Sequence, residues 1–351
     1  MNIRKILSLA FAATLLFTTS CTSDNTEEIL EVTFENGVLI TNEGGFTSPT
    51  AEVSFVTNDL SAVANKIYYG KNNEVLGSVL QTIGFDSDKA YLVSNVPNKI
   101  DIVNRYTFKK QATVTTNLQG PRYIAFSGNQ YYVTNNLSGA IKLNVYNKDN
   151  TFVKSITFDR YAEKVVEASG TIIVQTDGIN YQTTAPYTPY ASGYTITTVK
   201  PSTNTVDKTI TLPTVGIIRD MISYNGDAYV LASDNTNSYI YKINSTAGTY
   251  TTTTLTGIPQ VEKLRADNNK FYFANAANKI YSMTVGSTTV PTTPIVTTTG
   301  NLYGFNVIDG RIFASDASFT ADSKVNVYNA TNGSLLKTFT TGIGTNGFYK
   351  N

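Results

Sequence analysis

The 351-residue sequence contains no histidine, no tryptophan and a single cysteine, Cys21. Without histidine the chain lacks the side chain most often used as a general base and as a zinc ligand. One cysteine excludes an intramolecular disulfide, so the folded state has to be stabilised by its core and not by covalent cross-links. These absences leave only carboxylates or lysine as general bases, and a metal site would have to be built from oxygen ligands.

Net charge is also nearly absent. The 27 basic and 26 acidic residues give a formal charge of +1, and the basic residues form no run or stripe, which argues against a nucleic-acid partner. In contrast, 41% of the residues are hydrophobic, including 23 tyrosines and 17 phenylalanines. That composition supports a large folded core.

The N-terminal stretch has the pattern of an export signal. Arg4 and Lys5 precede the apolar residues 6–17, a segment too short for an ordinary membrane span. The following residues resemble a bacterial lipoprotein signal, which implies that residues 1–21 are a signal peptide with a lipidated Cys21, although Thr18 departs from the usual leucine. The alternative is a plain secretory signal in which Cys21 is incidental.

Residues 22–36 are polar and acidic and predict a flexible tether. Acidic residues shortly after the lipidated cysteine resemble the surface-export signals of some Gram-negative lipoproteins; a merely solvated linker is the alternative. We therefore expect a protein that is lipid-anchored in the outer membrane, at the cell surface.

One strand–turn–strand pattern recurs along the remaining chain. It is clearest in residues 120–136, where Gly128 lies at the turn between two β-rich runs. The second strand of the pattern recurs at intervals of 41 to 56 residues and starts at Gly37, Lys89, Gln130, Thr171, Asp227, Lys270 and Arg311. Repeats of this length predict an all-β fold, a seven-bladed β-propeller with four antiparallel strands in each blade.

The two ends of the repeat region complement each other. Residues 342–349 have the form of an innermost strand with no second strand after it, whereas the first repeat begins at Gly37 with its second strand. We expect the C-terminal strand to complete the first blade and close the ring, so that residues 37–351 form one propeller domain.

Alternation within residues 120–158 predicts the four strands of one blade at 123–126, 130–134, 140–146 and 152–158. Antiparallel strands place the connections between blades and the loops between second and third strands on one face of the disc. Three arginines, Arg122, Arg160 and Arg219, fall in consecutive connections between blades. Tyr161, Glu262 and Tyr303 lie at or near equivalent places, with Gln81 and Asn346 as further candidates.

Equivalent places in a ring converge on a central opening, so these side chains predict a polar mouth that binds a ligand rich in amides or phosphate. The alternative is that the arginines pair with nearby acids such as Asp159, Glu163 and Asp220.

The longest loop between second and third strands, residues 176–194, lies on the same face. It carries Tyr181, Tyr187 and Tyr190 interleaved with prolines, a composition that suits a binding lip. An elaborated hairpin packed on its own blade is the alternative. The shorter loop 42–50 presents Phe46 on the same rim.

Three segments resemble YncE-like seven-bladed propellers: residues 199–206 and 327–335 match their outer hairpins, and residues 120–126 match their entry into a blade. With the lipoprotein-like start, the chain resembles surface lipoproteins that capture cobalamin for a TonB-dependent outer-membrane transporter. The resemblance implies a non-catalytic ligand-binding protein with a corrinoid ligand and that transporter as partner. It transfers no ligand-contacting residue. A protein–protein scaffold or adhesin using the same face is the alternative.

Enzymatic interpretations are weak. Propeller lyases of similar shape use histidine and quinone-dependent propellers use tryptophan, and both residues are absent. We therefore expect no enzyme activity, no catalytic residue and no cofactor. Calcium remains an alternative, with residues 234–237, Asp316 and Asp322 as oxygen donors, but no calcium-binding motif is present.

Overall fold

The computed structural model describes residues 32–351, and nearly all regular structure in this part is β-strand. Seven four-stranded antiparallel sheets follow one another along the chain and are numbered here as blades 1 to 7. Blade 1 contains β1 (Gly37–Asn42), β2 (Glu52–Thr57) and β3 (Val63–Ala64), after which comes the helix α1 (Ile67–Asn72). Blade 2 contains β4 (Val79–Asp86), β5 (Lys89–Val96), β6 (Asn98–Asn104) and β7 (Lys110–Val114).

Blades 3 to 5 continue the pattern. Blade 3 contains β8 (Pro121–Ser127), β9 (Gln130–Asn135), β10 (Lys142–Asn147) and β11 (Phe152–Thr157). Blade 4 contains β12 (Val165–Ala168) and β13 (Thr171–Gln175), then the two-stranded insertion β14 (Ile179–Tyr181) and β15 (Pro189–Ala191), then β16 (Thr195–Lys200) and β17 (Thr205–Thr211). Blade 5 contains β18 (Ile217–Tyr224), β19 (Asp227–Ser233), β20 (Ser238–Asn244) and β21 (Thr249–Leu255).

The last strands complete the ring. Blade 6 contains β22 (Val261–Asp267), β23 (Lys270–Asn275), β24 (Lys279–Thr284) and β25 (Val296–Thr297). Blade 7 contains β26 (Leu302–Ile308), β27 (Arg311–Asp316), β28 (Lys324–Asn329) and β29 (Leu335–Thr340), and β30 (Thr345–Lys350) follows. All seven second strands begin at the predicted residues, so the seven-bladed β-propeller is confirmed.

Residues that tolerate positive φ make the tight turns between first and second strands. In four of these turns both central residues have positive φ, as type I′ hairpins require. The pairs are Ser169–Gly170, Asn225–Gly226, Asn268–Asn269 and Asp309–Gly310. Short turns of this kind fix the register of the inner hairpin of each blade, and through it the side chains that face the centre.

The C-terminal strand closes the ring as expected. β30 pairs antiparallel with β1, with Leu39 opposite Tyr349 and Ile40 opposite Phe348. The backbone N–H of Asn351 also donates to the carbonyl of Gly37 at 2.9 Å. Blade 1 is therefore built from both ends of the propeller, and β1 is paired on both sides, with β2 and with β30.

Apolar side chains fill the space between neighbouring blades. Seven clusters of buried residues lie one at each of the seven blade interfaces. Between blades 2 and 3 the cluster is aromatic: Tyr131 stacks on Tyr146 with ring centroids 5.0 Å apart, and Tyr91 contacts Tyr131 at 5.3 Å. Such pairs add about 0.5–1.5 kcal/mol each beyond the burial of area. Closure and interblade packing together replace the disulfides that the chain cannot form.

One detail differs from the sequence-based expectations. Phe34, placed by sequence in the tether of residues 22–36, is buried against Phe55 and Phe108, so the end of that segment belongs to the core. In the described part of the chain, the single helix is too short to cross a membrane.

Candidate ligand-binding site at the centre of the propeller

A β-bulge recurs near the start of the innermost strands. The pairing of first and second strands skips residues at this point in blades 2, 3, 5, 6 and 7, and the pairing of β30 with β1 skips Asn346. In blade 4, the backbone of Gln175 pairs with two residues. Its carbonyl accepts from the N–H of Glu163 at 3.2 Å, and its N–H donates to the carbonyl of Lys164 at 2.9 Å. Bulges turn a side chain away from the regular alternation and are common beside functional sites.

The bulged positions, one from each blade, converge on the centre of the disc. We call them the bulge ring: Gln81, Arg122, Lys164, Arg219, Glu262, Tyr303 and Asn346. All seven line a central cavity of about 390 Å³, together with other residues of the seven innermost strands. A side cavity of about 270 Å³ shares Arg122, Lys164, Arg219 and Glu262 with it. This side cavity extends to Tyr161 and Ile179, at the base of the inserted β14–β15 hairpin.

The part of the ring contributed by blades 1 to 4 is linked by hydrogen bonds; we call it the paired half. Asn346 donates to the carbonyl of Leu80 at 3.0 Å, and Gln81 accepts from Arg122 at 2.5 Å. Arg122 also holds the Glu163 carboxylate with two nitrogens, at 2.6 and 2.9 Å. Burial alone lowers the pKa of Arg122, but the attraction of Glu163 raises it above its ordinary value. Arg122 is therefore neutralised within the protein. This agrees with the alternative interpretation of the sequence, in which the arginines pair with nearby acids.

Blades 5 and 6 contribute the open half of the ring. Arg219 forms no hydrogen bond or ion pair with any of residues 32–351, and its Nε is buried. Glu262, on the next blade, is exposed and likewise has no hydrogen-bond partner in the described residues. A bound ligand could therefore use a cationic donor and an anionic acceptor here without breaking an existing contact.

Beneath the ring, Asp220 is a buried anchor for two cations. It lies 2.7 Å from Arg265 and 3.3 Å from Lys164, and it accepts backbone N–H groups of Met221 at 2.9 Å and Leu264 at 3.0 Å. Burial raises the pKa of Asp220, but the two cations and the N–H donors outweigh it and lower that pKa to about 2. Asp220 thus stays ionised, and its oxygens are already occupied.

Lys263 has no such anchor. Its ammonium lies over the Tyr303 ring, 5.6 Å from the centroid, and no carboxylate in the described part of the chain lies within ion-pair distance of it. Burial, with the nearby charge of Arg265, lowers the pKa of Lys263. This lysine is a second cation of the cavity that lacks a protein counterion.

Tyr303 connects the ring to the rim. Its hydroxyl donates to Glu43 at 2.6 Å, and its ring meets the half-exposed Phe319 edge-on at 5.2 Å. Burial raises the pKa of Glu43, only partly offset by Tyr303 and Arg122. The mouth of the cavity therefore combines aromatic surface with a carboxyl group that is already hydrogen-bonded.

Arg160 does not line either cavity, which corrects its predicted equivalence to Arg122 and Arg219. Its guanidinium binds Asp177 at 2.7 and 2.8 Å, and Asp177 also accepts from Ser192 and from both the N–H and hydroxyl of Thr195. The connection into blade 4 continues past Arg160, so Glu163 and Lys164 reach the bulge instead. Arg160 braces the base of the inserted hairpin.

The inserted hairpin, residues 176–194, projects its tyrosines into solvent; we call it the tyrosine hairpin. Tyr181, Tyr187 and Tyr190 are 58%, 60% and 48% exposed, and Tyr181, Tyr190 and residues 182–184 line an open cleft. The tip does not bury these rings against its own blade. Phe46, 75% exposed on blade 1, lines none of the cavities described above.

Oxygen ligands for a metal are not grouped in residues 32–351: no cluster of three or more acidic, histidine or cysteine side chains occurs there. Asp234 instead accepts the N–H groups of Thr236 and Asn237, at 2.7 and 2.8 Å, and Asp316 accepts that of Asn301 at 2.8 Å. These carboxylates hold loops together. Cys21, the proposed lipidation site, lies outside the described residues.

Four charged side chains of the cavity were not selected as site residues from sequence: Lys164, Asp220, Lys263 and Arg265. The sequence did carry a signal for them, since a charged side chain in an innermost strand can face only the channel or a neighbouring blade. The sequence did not show which residue of each strand faces the cavity, because a bulge shifts the alternation of side chains by one position.

These features define a seven-bladed β-propeller with a charged central cavity. The sequence matches the family described as "Domain of unknown function (DUF5074)" over residues 36–349, and the chain belongs to that family. No curated protein matches the sequence.

Solved structures similar to this chain share its fold at low identity. A functionally unknown protein from Desulfotomaculum acetoxidans is 12% identical with a TM-score of 0.62, covering 90% of this chain and 98% of its own. A putative 6-phosphogluconolactonase from Bacteroides uniformis is 13% identical with a TM-score of 0.61, covering 90% and 99%. The dihydro-heme d1 dehydrogenase NirN in complex with DHE is 13% identical with a TM-score of 0.56, covering 89% and 75%. At these identities the likeness shows the fold alone.

Proposed function

We propose that this protein is a non-catalytic, lipid-anchored surface protein that captures a corrinoid such as cobalamin and delivers it to a TonB-dependent outer-membrane transporter. The observation that carries the proposal is the open half of the bulge ring, where Arg219 and Glu262 lack partners in the described chain, beside the exposed tyrosine hairpin. Concave sites with a few convergent polar groups are the usual form of ligand sites.

The chemistry of the lining fits a ligand that carries both donors and acceptors. A corrinoid bears peripheral carboxamides, and cobalamin adds a phosphodiester in its nucleotide loop. Arg219 offers a planar set of N–H donors for an amide oxygen or a phosphate, and Glu262 offers an acceptor for an amide N–H.

The size of the site limits how such a ligand is bound. A corrin ring with its side chains is larger than the central and side cavities, of about 390 and 270 Å³. The ring must therefore lie across the mouth, with peripheral groups entering the cavities and the tyrosine hairpin against one edge. Tyrosine suits this role because it contributes contact area with few rotatable bonds.

We propose no catalytic role for the cavity, and the pairing of its buried carboxylates supports this. Two cations hold Asp220 ionised and lower its pKa to about 2, and the Glu163 carboxylate is engaged by Arg122. With no histidine in the chain, the charged side chains of the cavity without an ion pair in the described residues are Arg219, Glu262 and Lys263. A binding role needs no pair of coupled acid and base.

The test is calorimetric titration of the mature protein with cyanocobalamin, supported by the ligand's own absorbance. We expect binding at about micromolar Kd or tighter, with one ligand per protein. Replacing Tyr181, Tyr187 and Tyr190 together by serine should weaken it, whereas Asn332→Ala, in the turn on the opposite face, should not. An intact protein that shows no heat or spectral change at that concentration contradicts the corrinoid proposal.

A protein–protein scaffold is the second candidate, favoured by the three exposed tyrosines and by Phe46 and Phe319 on the same face. In that case the hairpin changes should abolish association with the partner while cyanocobalamin produces no signal in the intact protein. Exposed aromatic side chains are common at protein interfaces, so the two outcomes are separated by the ligand titration and not by the surface itself.

A further inference from the structure

We infer that Arg219 and Lys263 form an oxyanion subsite in the central cavity, which binds a phosphate or carboxylate group of the ligand. The inference rests on the proposed ligand-binding function and adds the chemical class of the group that enters the cavity. It does not depend on that ligand being a corrinoid.

The first observation is the Arg219 guanidinium. Its Nε is buried, and none of its N–H groups has an acceptor among residues 32–351. A guanidinium carries five donors in a planar fork that matches the paired oxygens of phosphate and carboxylate. Buried donors without partners are rare in folded proteins, and an incoming oxyanion would satisfy this one.

The second observation is the charge balance of the cavity. Five of its lining side chains are basic and two are acidic. Arg122 is neutralised by Glu163, and the oxygens of Asp220 are taken by Lys164, Arg265 and two backbone N–H groups. Arg219 and Lys263 therefore supply positive charge that no buried carboxylate of the described chain cancels. A cleft of one sign concentrates ions of the other sign.

The third observation is the setting of Lys263. Its ammonium packs over the Tyr303 ring in the central cavity, and the residue is half-buried, without an ion-pair partner in the described residues. A charged amine in such a place is costly unless it is paired. Lys263 and Arg219 line the same central cavity, so an oxyanion bound there would be attracted by both cations.

Glu262 sets the direction from which an anion can approach. This carboxylate lines both cavities but is exposed, and it attracts Lys263 from the adjacent position of β22. It repels a free anion at the rim. In a larger ligand, an amide N–H next to the anionic group would meet Glu262 while the oxyanion lies deeper. Removing this charge should therefore strengthen the binding of a small anion.

The experiment is calorimetric titration of the mature protein with inorganic phosphate and, separately, with acetate, at constant ionic strength set with chloride so that general screening is equal. We expect saturable binding of at least one of them. Arg219→Gln and Lys263→Gln should each weaken it by roughly tenfold, and Glu262→Gln should strengthen it. Lys279→Gln, an exposed position on blade 6, is the matched control and should change nothing. A preference for phosphate or for acetate identifies the class of oxyanion.

Binding of both anions no stronger than chloride overturns the inference, as does phosphate or acetate binding that survives Arg219→Gln and Lys263→Gln. Thermal unfolding checks that each variant is folded. The outcomes also separate the two proposals. Phosphate binding without cyanocobalamin binding supports the subsite and rejects the corrinoid. Cyanocobalamin binding that is unchanged in both variants, together with no specific binding of phosphate or acetate, supports capture and rejects the subsite.

Discussion

The two halves of the bulge ring are built from the same backbone feature but differ in what their side chains do. In the paired half, Asn346, Gln81, Arg122 and Glu163 are joined by hydrogen bonds across blades 1 to 4. In the open half, Arg219 and Glu262 have no hydrogen-bond partner in the described chain. The bulge places a side chain at the centre, and the residue on the neighbouring blade decides whether that side chain holds the ring together or remains available for a ligand.

The largest effect should come from removing the strand on which the paired half depends. Deleting residues 342–351 removes β30, exposes β1 and deprives Gln81 of its link through Asn346. We expect loss of cooperative folding or association through the free edges. Thermal unfolding and size-exclusion chromatography would show it. A truncated protein that stays monomeric and melts within a degree of the parent would contradict ring closure as a source of stability.

Asp220→Asn should have the next largest effect, because it leaves Lys164 and Arg265 buried without their counterion. Removing one member of a buried charge network typically costs about 3–5 kcal/mol. Urea denaturation measures the loss in free energy of unfolding. Asp227→Asn is the control, since its pair with Lys242 is exposed, and it should cost no more than about 1 kcal/mol. Equal effects of the two changes would refute the anchoring role of Asp220.

The same carboxylate predicts a pH dependence. The two cations beside Asp220 lower its folded-state pKa to about 2, below the ordinary value of 3.8. A lowered pKa means that the stabilisation is complete above the unfolded-state value and is lost as the pH falls from about 4 towards 2. The parent protein should lose more stability across this window than Asp220→Asn does. Parallel pH profiles for the two proteins would show that another group controls acid unfolding.

Arg122→Gln should leave a side chain of the paired half without its hydrogen-bond partner, as in the open half. It breaks the two-nitrogen contact with Glu163 and leaves that carboxylate, which is mostly buried, without its cation. We expect a loss of about 1–3 kcal/mol in the free energy of unfolding. The double change Arg122→Gln with Glu163→Gln should recover part of it. If the double variant loses as much free energy of unfolding as the two single variants together, or more, the two side chains are not directly coupled.

The fold was predictable because its determinants are local and repeated. Gly128, Asn225–Gly226 and Asp309–Gly310 mark hairpin turns in any context, and seven repeats leave few architectures open. Phe34 was not predictable as core, because the acidic residues around it match a tether and its partners Phe55 and Phe108 are distant in sequence. Composition reports the average of a segment, whereas burial is decided by single side chains.

The site was predictable only in outline. Aligning the repeats placed Arg122, Arg219, Glu262 and Tyr303 around one opening, and the structure brings all four to the central cavity. The same alignment selected Arg160 where Lys164 lies, since the length of each connection between blades is not fixed by the repeat. Which arginine is paired depends on the neighbouring blade, and contacts between blades are separated by about forty residues in sequence, so no local pattern reveals them.

The central claim is that Arg219, unlike Arg122, serves a ligand and not the fold. The most direct test is titration of cyanocobalamin into Arg219→Gln, with Lys279→Gln alongside and thermal unfolding of both. We expect an affinity at least about tenfold weaker for Arg219→Gln, with a melting temperature at or above that of the parent, because an unpaired cation is removed. Unchanged affinity, or a fall in stability comparable to that of Arg122→Gln, would contradict it.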